Sequence, residues 1–127
     1  MCAMNEIKRI MVIDDDIDLL MLLERSLQKQ GYVVETAASL PEAEEIITEF
    51  MPAVVLLDIN VRGEDGRKLC WKLKNSPVLH HPKVIIMSGY DFSPSRAFLF
   101  GADDMVAKPF PVEFLHHRIR VQVEAIA

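Results

Sequence analysis

Five short apolar runs divide this chain, Ile7–Ile13, Tyr32–Ala37, Ala53–Leu57, Val84–Met87 and Met105–Ala107, each bounded by Gly, Pro, Asp or Asn. Runs this short between turn residues predict strands. Four of them lack alternation of apolar and polar residues, so both faces of each strand must be covered, as in the interior of a parallel sheet. The fifth is the weakest and reads as coil in isolation.

The intervening segments carry helical spacing. Leu19, Leu20, Leu23 and Leu27 share one face, with Asp16 as N-cap and Gly31 as stop. Ser39-Leu40-Pro41-Glu42 is a capping box with proline in the first turn; Ala43, Ile46, Ile47 and Phe50 point inward, and Pro52 ends the helix. A third helix starts near Gly66 with Leu69, Cys70 and Leu73 inward, and a last one at Pro111 with Leu115, Ile119 and Val123 on one face. Between these two, Phe92 to Gly101 carries Pro94 and an all-round apolar Ala97-Phe98-Leu99-Phe100, so a fourth helix is expected without defined length or register. Alternating strands and helices predict an α/β domain, a parallel sheet with helices on both faces joined by right-handed crossovers. With 127 residues, one domain over 1–127 is expected.

Composition excludes several functions. A formal charge of −5 opposes direct binding to a nucleic-acid backbone. No apolar stretch approaches the roughly 20 residues that cross a bilayer, and the first residues show no secretory pattern, so a cytoplasmic location without membrane attachment is expected. Cys2 and Cys70 form no metal-ligand spacing and read as core or surface thiols.

In a sheet of this kind ligands gather outside the carboxyl ends of the strands. Strand one ends in Asp14-Asp15-Asp16, strand three in Asp58, strand four in Ser88 and strand five in Lys108-Pro109. Carboxylates brought together repel one another unless a cation neutralises them. All-oxygen ligands with no nearby His or Cys favour Mg²⁺ over Zn²⁺. Such a metal, with Lys108 and Ser88 on the remaining oxygens, suits phosphoryl transfer to an aspartate. Asp16 and Asp18 need no chemical role, since both begin a helix. The pairs His80-His81 and His116-His117 are expected at the surface, Trp71 partly exposed, and Phe98, Leu99 and Phe100 in the core or a dimer contact.

The order Asp14-Asp15 in "MVIDDD", Asp58 in "VVLLDIN", Ser88 in "IIMSG" and Lys108 in "VAKPF" resembles the receiver domain of two-component response regulators over nearly the whole chain. The resemblance implies a flavodoxin-like (βα)5 fold, a doubly wound five-stranded sheet of order 2-1-3-4-5. It implies Asp58 as phosphoacceptor, with Ser88 and Lys108 on the phosphoryl group. Mg²⁺ would be held by Asp15 and Asp58 directly, by Asp14 through water, and by the Asn60 carbonyl. It further implies a cis Lys108–Pro109 bond and a sensor histidine kinase or histidine phosphotransfer protein as donor. Activity would be limited to Mg²⁺-dependent self-phosphorylation and self-dephosphorylation. Asp103, Asp104, Arg118 and Arg120 resemble charges that pair across homodimers formed by helix four, strand five and helix five, although solvated charge explains them equally.

The chain departs from the family at several positions. Arg62 replaces a common proline, which predicts a less rigid loop, and Met105 replaces an aromatic switch residue. The stretch from Ser88 to Lys108 is about two residues short, and Tyr90 predicts slow phosphate loss by hindering water. Two other readings remain: a pseudo-receiver interaction module, and a haloacid-dehalogenase-type phosphatase with Asp14 as nucleophile and Asp16 as acid/base.

Overall fold

The computed structural model describes residues 8–89 and 100–126. Five parallel strands, β1 (Arg9–Ile13), β2 (Val33–Ala37), β3 (Val54–Asp58), β4 (Lys83–Ser88) and β5 (Asp104–Ala107), lie in the order β2-β1-β3-β4-β5. This is the expected 2-1-3-4-5 sheet. The helices are α1 (Ile17–Lys29), α2 (Leu40–Phe50), α3 (Gly66–Asn75) and α4 (Val112–Ile126), the last being the helix expected from Pro111. Most of the segment in which another helix was expected, residues 92–99, lies outside the described residues, as does Tyr90.

Alternate residues of the interior strands feed two cores. Met11, Ile13, Val55, Leu57, Val84 and Ile86 pack with Ala43 and Ile47 of α2 and Leu69, Cys70 and Leu73 of α3. Ile10, Val12, Val54, Leu56, Ile85 and Met87 pack with Leu20, Leu23 and Leu27 of α1 and Leu115 and Ile119 of α4. Helices therefore cover both faces, and this explains why β1, β3 and β4 are apolar without alternation.

The caps form with one change of detail. Asp16 accepts from the Leu19 N–H, and Ser39 from the Glu42 N–H. The Glu42 carboxylate reaches back to the Ala38 N–H at 2.7 Å, one residue before the cap itself. In α4 the third turn buries Gln122, while Val123, expected inward, is only partly covered.

The amino edge of the sheet is tied by Asp103. Its Oδ2 accepts from the Val84 N–H and from Lys74 Nζ, both at 2.8 Å, and Lys83 Nζ lies 3.7 Å from Oδ1. Asp104 accepts from Arg118 Nε at 2.5 Å. Both aspartates are thus engaged within the chain. Among the described residues no helix is long and apolar enough to cross a membrane.

Candidate functional site

At the opposite, carboxyl edge, the strands deliver the residues picked out in the sequence. Asp14 extends β1 by one position, its N–H donating to the Ala37 carbonyl at 3.1 Å. Its side chain is fully buried. Oδ1 accepts from the Asp16 N–H at 3.0 Å and Oδ2 from Lys108 Nζ at 2.5 Å. Asp15, next in the chain, is exposed.

Asp58 closes β3 and is buried beside Asp14 and Lys108, with Lys108 Nζ 3.5 Å from its Oδ2. The Asn60 N–H also donates to its carboxylate. Burial, and then the charge of Asp14, push the Asp58 carboxyl up to about 6, against the opposing pull of Lys108. Burial alone would lower the Lys108 ammonium, but hydrogen bonding and charge from Asp14, reinforced by Asp58, raise its pKa instead.

Ser88 ends β4 almost wholly buried, and its carbonyl accepts from the Lys108 N–H at 2.8 Å. Lys108 follows β5, and the Lys108–Pro109 bond is cis, as expected.

One carboxylate oxygen from each of Asp14, Asp15 and Asp58 lies within 4.8 Å of the other two. Three carboxylates beside the Lys108 ammonium leave net negative charge, and the charge of Asp14 adds to burial in raising the Asp58 pKa. The donors are all oxygen, which suits a hard divalent cation such as Mg²⁺ and not Zn²⁺. The residues therefore fit the metal. Asn60 begins a strand of two residues, Asn60–Val61, that pairs with Glu64–Asp65 as a small hairpin.

That hairpin corrects the expectation of a looser loop at Arg62. The Arg62 N–H donates to Asp15 Oδ2 at 2.9 Å and its Nε to the Ala38 carbonyl at 3.0 Å, while the Gly63 N–H donates to Asn60 Oδ1 at 3.0 Å. The loop is tethered by these hydrogen bonds, and the one to Asp15 is a bond that a proline nitrogen could not supply at position 62.

Gly66 has a role the sequence reading did not assign. A Cβ there would overlap the Asp58 carbonyl, so only glycine lets α3 start directly against the end of β3. The signal was a glycine as the first residue of a helix already capped by the Asp65 side chain, where residues of better helix propensity are commoner. Met105, in the position of the missing aromatic, packs partly buried against the core that faces α2 and α3. His80, His81 and His117 are exposed as expected, and Trp71 is 55% exposed. His116 differs, being half-buried with Nε2 2.8 Å from Ser26 Oγ of α1.

Comparison with known proteins gives one consistent result. Residues 10–120 match the response regulator receiver domain family. Response regulator PleD of Caulobacter vibrioides is 34% identical over 114 residues, 88% of this chain but 25% of that protein. The chain thus spans about a quarter of the length of the curated relatives it matches. A signal receiver domain from Bermanella marisrubri superposes with a TM-score of 0.85 at 34% identity, covering 91% of this chain and 98% of that one. The BeF3-activated N-terminal receiver domain of Klebsiella pneumoniae RstA gives 0.81 at 27% identity, covering 91% and 97%.

Proposed function

This chain belongs to the response regulator receiver domain family, and from that premise we propose that it is a phosphorylation-dependent switch with Asp58 as phosphoacceptor. The observation that carries the reading is the convergence of Asp14, Asp15, Asp58 and Lys108 from three different strand ends onto one edge of the sheet.

In the transfer, an Asp58 carboxylate oxygen forms a bond to phosphorus as the P–N bond to a donor phosphohistidine breaks, and the departing imidazole takes up a proton. A sensor histidine kinase or a histidine phosphotransfer protein is the donor. Asp58 is desolvated yet largely ionised at neutral pH, so the nucleophile is available without a dedicated base. Lys108 is assigned one phosphoryl oxygen, a role supported by its 3.5 Å approach to Asp58, and Ser88 on the adjacent strand end is assigned another.

Asp15 and Asp58 would bind Mg²⁺ directly, with Asp14 holding it through water and the Asn60 carbonyl completing the protein ligands. When bound, the ion supplies positive charge to offset that of the transferring group. Breakage of the acyl phosphate by water returns Asp58 and inorganic phosphate, so the chain's chemistry is confined to its own modification. Tyr90 is assigned the slowing of that hydrolysis.

A phosphatase using Asp14 as nucleophile is not favoured. Both Asp14 oxygens are engaged, by the Asp16 N–H and by Lys108, and the side chain is fully buried. Incubation with acetyl phosphate and Mg²⁺, followed by mass spectrometry, tests the proposal. Acyl phosphate on Asp58 that disappears when Mg²⁺ is withheld is the expected result. Label on Asp14 would select the phosphatase, and no label would leave an interaction module of the same fold.

A further inference from the structure

We infer that Arg62 is a positioning residue that holds Asp15 ready for the cation through its main-chain N–H. The inference rests on the reading of the site as one that takes Mg²⁺ and a phosphoryl group.

Arg62 and Gly63 are the two central residues of the hairpin that joins Asn60–Val61 to Glu64–Asp65, and both have positive φ, +53° and +82°. Two-residue hairpins of this type favour Asn-Gly or Asp-Gly, because both central residues must sit in the left-handed region. Arginine is a poor occupant of the first position. Its side chain is exposed, so packing in the core does not explain why the conformation persists.

The hydrogen bonds do explain it. The turn presents the Arg62 N–H to Asp15 Oδ2, and Nε anchors the same residue to the Ala38 carbonyl just beyond β2. Arg62 thereby ties the loop after β3 to the loops that follow β1 and β2. Asp15 is the exposed member of the three carboxylates, and burial does not fix its rotamer as it does for Asp14 and Asp58. A donor on one oxygen restricts that rotation and leaves the other oxygen for the ion. Partners that orient a metal ligand in this way govern affinity although they never touch the metal. Strain in a turn beside a reactive site is one way such orientation is maintained.

Two substitutions separate the main chain from the side chain. Asparagine tolerates the left-handed region and keeps the N–H, whereas proline removes the N–H and locks φ near −65°. Calorimetric Mg²⁺ titration of the full chain is expected to show Arg62→Asn within about twofold of wild type and Arg62→Pro weaker by about tenfold. At saturating Mg²⁺ the maximal rate of labelling by acetyl phosphate should be nearly equal in all three, so the defect lies in half-saturation alone. Wild-type affinity in Arg62→Pro overturns the inference.

Amide hydrogen exchange of the metal-free chain gives a second readout that does not depend on how the proline variant folds. The Arg62 N–H should exchange slowly in wild type and faster in Asp15→Ala, and equal rates also overturn the inference. A wild-type chain that neither binds Mg²⁺ nor takes label overturns the phosphoacceptor reading itself, and this inference with it.

Discussion

Lys108 and Asp14, 94 residues apart in the chain, are joined by an ion pair of 2.5 Å, closer than the approach of the same ammonium to Asp58. Without a metal, Lys108 therefore serves first as the counter-charge of a buried carboxylate.

Replacing Lys108 by glutamine leaves Asp14 buried without its cation. Loss of one partner from a buried pair costs about 3 kcal/mol, somewhat less here because the lysine side chain is partly exposed. Urea denaturation without Mg²⁺ should show this loss. Added Mg²⁺ should restore more stability to the variant than it adds to wild type.

Asp58 ties stability to pH in the metal-free chain. Its carboxyl is raised from 3.8 to about 6, by burial first and then by Asp14, so the folded chain keeps a proton that the unfolded chain has released. The resulting stabilisation is fully present below pH 3.8 and is lost as pH rises through about 6. At pH 7 Asp58→Asn should accordingly be more stable than wild type, by on the order of 3 kcal/mol at most. Thermal melts in chelator should show the advantage vanish toward pH 4 and shrink when Mg²⁺ is supplied to the wild type.

Gly66→Ala places a methyl group on the Asp58 carbonyl, a backbone atom that cannot swing away. A cost of about 2–3 kcal/mol in chemical denaturation is expected from such overpacking. Labelling of Asp58 should fall as well, because α3 can begin only by pushing the end of β3 aside.

Asp103→Ala tests the opposite edge. It leaves the Val84 N–H without its acceptor and Lys74 with the Pro82 carbonyl, and a loss of about 2 kcal/mol is expected. If Asp103 served chiefly as a solvated surface charge, denaturation would show almost no change.

Much of this was legible before any coordinates. Strands buried on both faces must be written in unbroken apolar residues, so β1, β3 and β4 announced themselves, and Asp14, Asp58 and Ser88 were found because each stands at the end of such a run. The hairpin at Asn60–Val61 was not, because two-residue strands carry no periodicity and Arg-Gly is not its usual turn. Arg62 was misjudged because a missing proline says only that φ is freer, whereas the tether comes from Asp15 and Ala38, both distant in sequence. Asp103 read equally as a dimer-pairing or a solvated charge, since its partner Lys74 arrives from another element. His116 likewise meets Ser26 only through the packing of α4 on α1.

The placement of the site along one sheet edge also bears on how the chain is made. Synthesis delivers Asp14 and Asp58 long before Ser88 and Lys108, and β4 and β5 must add in register beside β3 before the ammonium reaches the carboxylates. Until then Asp14 and Asp58 lack the ammonium that pairs with them in the folded chain. The ion pairs of Lys108 with Asp14 and Asp58 thus form only once β5 has joined the sheet, so the site is completed late in synthesis.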